Sequence, residues 1–189
     1  MANTTQIVKR TYPWTDMISG VKITLRLMTR EDRDTIIAFA NRQSETDRAF
    51  LRVNIADPDI VDEWIDNIEH GRTVTVLAET ENGIIGYSSL HHNEVLWTSH
   101  MGEIRVYVDR DFRAKGIGEI LIGEQFHIAH QMRLERLIFQ VPADQARVRQ
   151  MLEGQGFQPE AILNSWIQTP DGKLHDLMIL SKYLRPFGA

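Results

Sequence analysis

Apolar and polar residues alternate over residues 21–28, with Val21, Ile23, Leu25 and Leu27 on one side, which is the period of a half-buried strand. Thr29 then reads as a helix N-cap with Asp32 three residues on, and Ile36, Ile37, Phe39 and Ala40 form the apolar side of the helix that follows. Residues 41–48 are polar. Asp57-Pro58-Asp59 opens a second helix whose apolar face is Val61, Trp64, Ile65 and Ile68. Strands are predicted over 73–79 and 84–90, joined by a hairpin turn at Glu81-Asn82-Gly83, with a loop over 91–101. Glu103-Ile104-Arg105-Val106-Tyr107-Val108 alternates with period two and is rich in β-branched and aromatic residues, so it reads as a strand. A helix over 119–133 carries Ile120, Leu121, Phe126, Ile128 and Ala129. A strand over 136–142, a helix over 144–156 and two strands over 160–168 and 173–183 complete the chain. Pro170-Asp171-Gly172 is the turn between the last two.

This order, β-α-α-β-β-β-α-β-α-β-β, predicts an α/β protein with one mixed sheet of about seven strands, hairpins and parallel crossovers, and helices on its faces. Residues 1–20, with Tyr12-Pro13-Trp14, form a polar N-terminal extension expected to lie against the domain or a partner subunit. Residues 21–189 form a single domain.

Composition narrows the classes. The chain has 189 residues, 42% of them apolar, which suits one folded domain with a real core. A net charge of −5 with no basic run argues against nucleic acid as a partner. No apolar run approaches the roughly 20 residues that span a bilayer, and the N-terminus lacks a signal-peptide core, so a cytoplasmic location is the expectation. The absence of cysteine excludes a cysteine acyl-enzyme and a thiolate metal site.

The chemistry concentrates after Val108. The run Asp109-Arg110-Asp111-Phe112-Arg113-Ala114-Lys115-Gly116-Ile117-Gly118 joins a strand to a helix through a basic, glycine-bearing turn. At a helix N-terminus the first amides lack intrahelical partners and the dipole favours an anion, so this turn is a candidate phosphate cradle. Taken alone, the turn also fits an unrelated α/β domain that binds phosphate.

Arg113-x-x-Gly116-x-Gly118 after a strand ending in Val108 resembles the acyl-CoA signature of the GNAT superfamily of N-acetyltransferases. Leu152-Glu153-Gly154-Gln155-Gly156-Phe157 resembles that family's later helix ending in Gly-Phe, Leu25 to Asp32 its opening strand and helix cap, and Ile85-Gly86-Tyr87 its third strand. The resemblance covers nearly the whole chain. It implies the GNAT fold and acetyl-CoA as co-substrate. It also implies a pyrophosphate contact from Arg113, Ala114, Lys115, Gly116, Ile117 and Gly118, and a pantetheine contact from the backbone of Val106 and Val108 and from Gln145.

Glu103-x-x-Val106-Tyr107-Val108 is further similar to phosphinothricin and related amino-acid acyltransferases, as are Arg147-Val148-Arg149 and His175-Asp176. That branch implies Glu103 as general base and a small amine, such as an amino acid or analogue, as acceptor. Arg48, His91, Trp97 and Asp176 are the acceptor contacts it suggests, from the segments that shape such pockets, and an arginine after the first helix, Arg48 or Arg52, suits a carboxylate. His91, His92 and His100 near Glu103 lack metal-ligand spacing, and no metal is expected.

Two departures from the pattern matter. Leu152 stands where many GNAT enzymes carry a tyrosine acid, and Gln145 where an asparagine is common. An enzyme is the leading expectation. A protein lysine or N-terminal acetyltransferase and a non-catalytic acyl-CoA-binding regulatory domain stay open, as does a homodimer.

Overall fold

The computed structural model describes residues 11–184. Eight strands form one sheet: β1 (Trp14–Ile18), β2 (Val21–Leu27), β3 (Thr73–Thr80), β4 (Gly83–His92), β5 (Met101–Val108), β6 (Arg136–Pro142), β7 (Gln158–Gln168) and β8 (Leu174–Tyr183). Their order across the sheet is β1-β2-β3-β4-β5-β6-β8-β7. Every neighbouring pair is antiparallel except β5 and β6. Five helices cover it: α1 (Arg33–Arg42), α2 (Glu45–Arg48), α3 (Pro58–Glu69), α4 (Ile117–Gln131) and α5 (Ala146–Gly154).

The mixed α/β sheet is as anticipated, with three differences. The strand count is eight rather than about seven, because Trp14–Ile18 pairs with β2 inside the stretch read as an extension. Its inner residues Thr15, Asp16 and Met17 are exposed, so no period-two signal marked it. The polar stretch after α1 holds α2, four residues capped by the Ser44 hydroxyl, which accepts from the Asp47 amide at 3.1 Å. And β4 runs on through His91 and His92, which the sequence placed in a loop.

The two faces of the sheet carry separate cores. One gathers Ile23, Leu25, Val76, Leu90, Ile104 and Leu137 under α4 and α5, which add Ile117, Leu121, Leu152 and, just beyond α5, Phe157. The other gathers Leu77, Tyr87 and Tyr107 under α1 and α3, which add Ile36, Phe39, Val61, Trp64 and Ile65. Each such fully buried side chain contributes about 1.5–3 kcal/mol. The alternation in β5 follows: Ile104, Val106 and Val108 face α4, while Glu103, Arg105 and Tyr107 face the side of α1 and α3. Among the described residues no helix is long and apolar enough to cross a membrane.

Candidate active site

Strands β5 and β6 run parallel but pair only at their beginnings, Met101 with Arg136, Gly102 with Leu137 and Glu103 with Ile138. Past Glu103 the strands part. β6 continues against β8, while β5 from Ile104 to Val108 keeps only β4 as a partner. The β5 edge facing the gap therefore has main-chain groups free to bond something else. Val106 and Val108 lie along it, their side chains packed on the α4-side core.

The gap leads to the turn before α4. Asp109 caps a short 3-10 turn, Arg110–Phe112, accepting from the Asp111 amide at 3.2 Å. Arg113 is extended, and Ala114 and Gly116 then take positive φ, 57° and 81°. These left-handed steps bring the chain round onto the N-terminus of α4, and only glycine takes them without strain. The amides of Ala114, Lys115, Gly116, Ile117, Gly118 and Glu119 meet no acceptor among the described residues. Successive unpaired amides at a helix N-terminus suit an anion such as a diphosphate.

The two cations of this turn also make contacts within the protein. Arg113 Nε donates to the Val108 carbonyl at 2.9 Å, and its Nη1 lies 2.7 Å from Asp47 Oδ1. Lys115 Nζ donates to the Asp111 carbonyl at 2.9 Å and rests over the Phe112 ring. Both brace the turn, and the backbone is what it presents. The Ile117 side chain is buried in the core. Gly118 faces Met151, where a Cβ would lie 3.7 Å from the sulfur. Gln145 begins α5 half-exposed, its side chain making no cap bond.

Glu103 sits where β5 and β6 part, on the face away from α4. Its Oε1 accepts from Arg52 Nη1 and, at 3.3 Å, from Arg105 Nε. Across the ladder its partner is His91. The His91 ring bonds the hydroxyls of Thr73 at 3.1 Å and Ser89 at 2.8 Å. Burial, helped by the charges of Arg105 and Arg52, lowers its pKa to about 3, so the imidazole is neutral at physiological pH.

Two cavities meet at His91. One, of about 280 Å³, is walled by Val53, Ile55, Ile60, Trp64 and Tyr87, with Glu63, Asn67, Ser89, His91 and Arg105 as its polar lining. The other, of about 250 Å³, is lined by His92, Asn93, Thr98, Glu103 and Ile138 together with His91. Arg48, Trp97 and Asp176 line neither cavity. Arg48 belongs to α2, with its Nε buried and unpartnered. Trp97 stands on the loop between β4 and β5, 87% exposed. Asp176 Oδ1 accepts from the Ser165 amide at 2.8 Å, which stitches β7 to β8 at a bulge. The arginine that reaches Glu103 is Arg52, four residues after Arg48. Arg105 was missed, although a strand's period of two places it beside Glu103.

Position 152 itself supplies no acid. Leu152 is fully buried. Tyr107 donates its hydroxyl to Gln43 Oε1 at 2.9 Å, and burial raises its pKa. Among the described residues no group of three or more His, Cys, Asp or Glu could hold a metal ion.

Residues 26–157 match the Acetyltransferase (GNAT) family. The chain is 25% identical over 170 residues to the Bacillus subtilis protein named "Putative phosphinothricin acetyltransferase YwnH", covering 86% of this chain and 99% of that one. YncA from Salmonella typhimurium, solved with its cofactor acetyl-CoA, superposes with a TM-score of 0.75 at 20% identity, over 88% of this chain and 96% of that one. Spermidine N-acetyltransferase from Vibrio cholerae, in complex with CoA and spermine, does so with a TM-score of 0.71 at 17% identity, over 86% and 95%. The match spans both the parted strands and the amide-lined turn, and the chain belongs to the GNAT family of acetyltransferases.

Proposed function

We propose that the protein is an acetyl-CoA-dependent N-acetyltransferase for the primary amine of a small molecule, an amino acid or analogue, working by direct transfer in a ternary complex. One juxtaposition carries the reading. The free edge of β5 runs from Glu103, at the parting of the strands, to a turn whose amides await an anion. The acetyl-CoA held by the Salmonella relative supports the co-substrate, and the name of the Bacillus relative supports the acceptor class.

The amides of Ala114 to Glu119 would hold the pyrophosphate, and the main chain of Val106 and Val108 the arm. Bound acetyl-CoA supplies an activated thioester carbonyl. Glu103 takes a proton from the acceptor ammonium, which becomes the neutral nucleophile. Its Oε1 accepts from the guanidinium groups of Arg52 and Arg105. The N–C bond forms and the C–S bond breaks; the new amide nitrogen sheds its second proton to solvent, and the departing thiolate takes one up from solvent. Leu152 is apolar and the Tyr107 proton is already committed to Gln43.

Leu152 also favours a second reading, an acyl-CoA-binding domain without catalysis. Thiol release from acetyl-CoA distinguishes them, tried with L-amino acids, polyamines and lysine peptides. The chain has no cysteine to add to the signal. Release that depends on amino acids supports the proposal. Release with lysine peptides alone moves the acceptor to protein, and acetyl-CoA binding with no release supports the second reading.

A further inference from the structure

We infer that Arg52 and Arg105 form the receptor for a carboxylate on the acceptor, and that this carboxylate frees Glu103 by drawing Arg52 away from it. The inference rests on the amino-acid reading above and adds a selection rule to it.

Three observations point there. Both guanidinium groups converge on the same oxygen, Glu103 Oε1. Beyond those single contacts, no hydrogen bond or ion pair among the described residues engages the remaining N–H groups of Arg52 and Arg105, although Arg105 borders the larger cavity. The two guanidinium groups share the single Glu103 carboxylate, with a neutral His91 beside them, and the other carboxylate of the larger cavity, Glu63, is not paired with either. A carboxylate is the planar, two-oxygen anion that a guanidinium fork receives best.

The exchange conserves ion pairs. An α-amino acid carries its ammonium and its carboxylate on one carbon, so the two can address a glutamate and an arginine already in contact. The Arg52–Glu103 pair becomes Arg52–carboxylate and Glu103–ammonium, and no charge is left alone. Arg52 can make the move, since its side chain is 41% exposed and Glu103 is its one ionic partner among the described residues. The side chain of the acceptor then falls against Val53, Ile55, Trp64 and Tyr87. An amine without a carboxylate leaves Arg52 on Glu103 and the base engaged.

The experiment compares kcat/KM for the best amino acid of the panel with that for its α-carboxamide. Wild type is expected to favour the free acid by about tenfold to a hundredfold, the scale of a charge-assisted pair. In Arg52→Met the ratio is expected to fall towards one, and Arg52→Lys, which keeps the charge without the fork, to fall between. Arg105→Met provides an independent second variant, and the ratio cancels differences in active fraction. A wild type indifferent to the carboxylate, or a preference unchanged in both methionine variants, overturns the inference while leaving the amino-acid reading intact. Thiol release with polyamines or peptides but with no amino acid overturns that reading, and the inference with it.

Discussion

The Ser19 hydroxyl donates to the Lys115 carbonyl at 3.0 Å, which ties the tip of the β1–β2 hairpin to the turn that opens α4. Tyr12 adds a second tie, donating to Glu124 Oε2 on α4 at 2.6 Å, and Ile18 enters the core beneath it. The N-terminal strand thus steadies the anion-binding turn from outside. Ser19→Ala is expected to weaken acetyl-CoA binding by about twofold to fivefold, the lower range for one exposed hydrogen bond, with kcat and the amine KM unchanged. Isothermal titration with acetyl-CoA reads this, and an unaltered affinity would contradict it.

Gly116 holds φ at 81°, and a Cβ there would meet nothing within 4 Å. The cost of Gly116→Ala is therefore conformational, about 1–2 kcal/mol for a left-handed alanine. It should appear as a lower urea midpoint together with weaker acetyl-CoA binding. Gly116→Asn, which tolerates this conformation better, is expected to lose less of both. Equal losses in the two variants would show that φ is not the cause.

Gly86 differs in kind. A Cβ there would lie 2.7 Å from the Tyr107 carbonyl oxygen and 3.2 Å from Val108 Cα, so backbone must give way. Gly86→Ala is expected to destabilise by about 1–3 kcal/mol and to shift the β5 edge on which the arm would rest. Urea unfolding and acetyl-CoA affinity should fall together. A stable variant with full affinity would remove the β4–β5 spacing from the account.

His91 makes stability depend on pH. Its folded pKa is about 3, against roughly 6.5 for an ordinary imidazole. Between those values the unfolded chain takes up a proton that the folded one refuses, so stability falls as the pH drops through that window. The slope from this group is at most about 1.4 kcal/mol per pH unit. His91→Gln, which does not titrate, is expected to flatten the acid side of the urea midpoint plotted against pH. An identical slope in both proteins would refute the assignment.

Much of this was legible in the sequence because it lay in periodic segments. The seven anticipated strands have one buried face or a strong turn beside them, α3 carries the Asp57 cap and an apolar stripe, and α1 carries an apolar stripe after the 3-10 turn, Arg30–Asp32, that Thr29 opens. Trp14–Ile18 was missed because an edge strand can expose nearly every residue and so loses its period. α2 was missed because four polar residues held by Ser44 have no apolar face. The turn could be found because a local motif makes it. The Glu103 cluster could not be completed, since Arg52 and Glu103 are 51 residues apart and meet only through the fold. Trp97 was suggested as a contact from its segment and Asp176 from the resemblance around His175, and neither argument says where a side chain goes.

The most direct test of the account is turnover in Glu103→Gln, measured beside acetyl-CoA affinity on the same preparation. Glutamine keeps the size of the side chain and removes the base. The expected result is a fall in kcat of about a hundredfold to ten-thousandfold with acetyl-CoA binding unchanged. Wild-type kcat in the variant would contradict the assignment of Glu103 as the base. Loss of acetyl-CoA binding in step with kcat would show instead that Glu103 holds the site together.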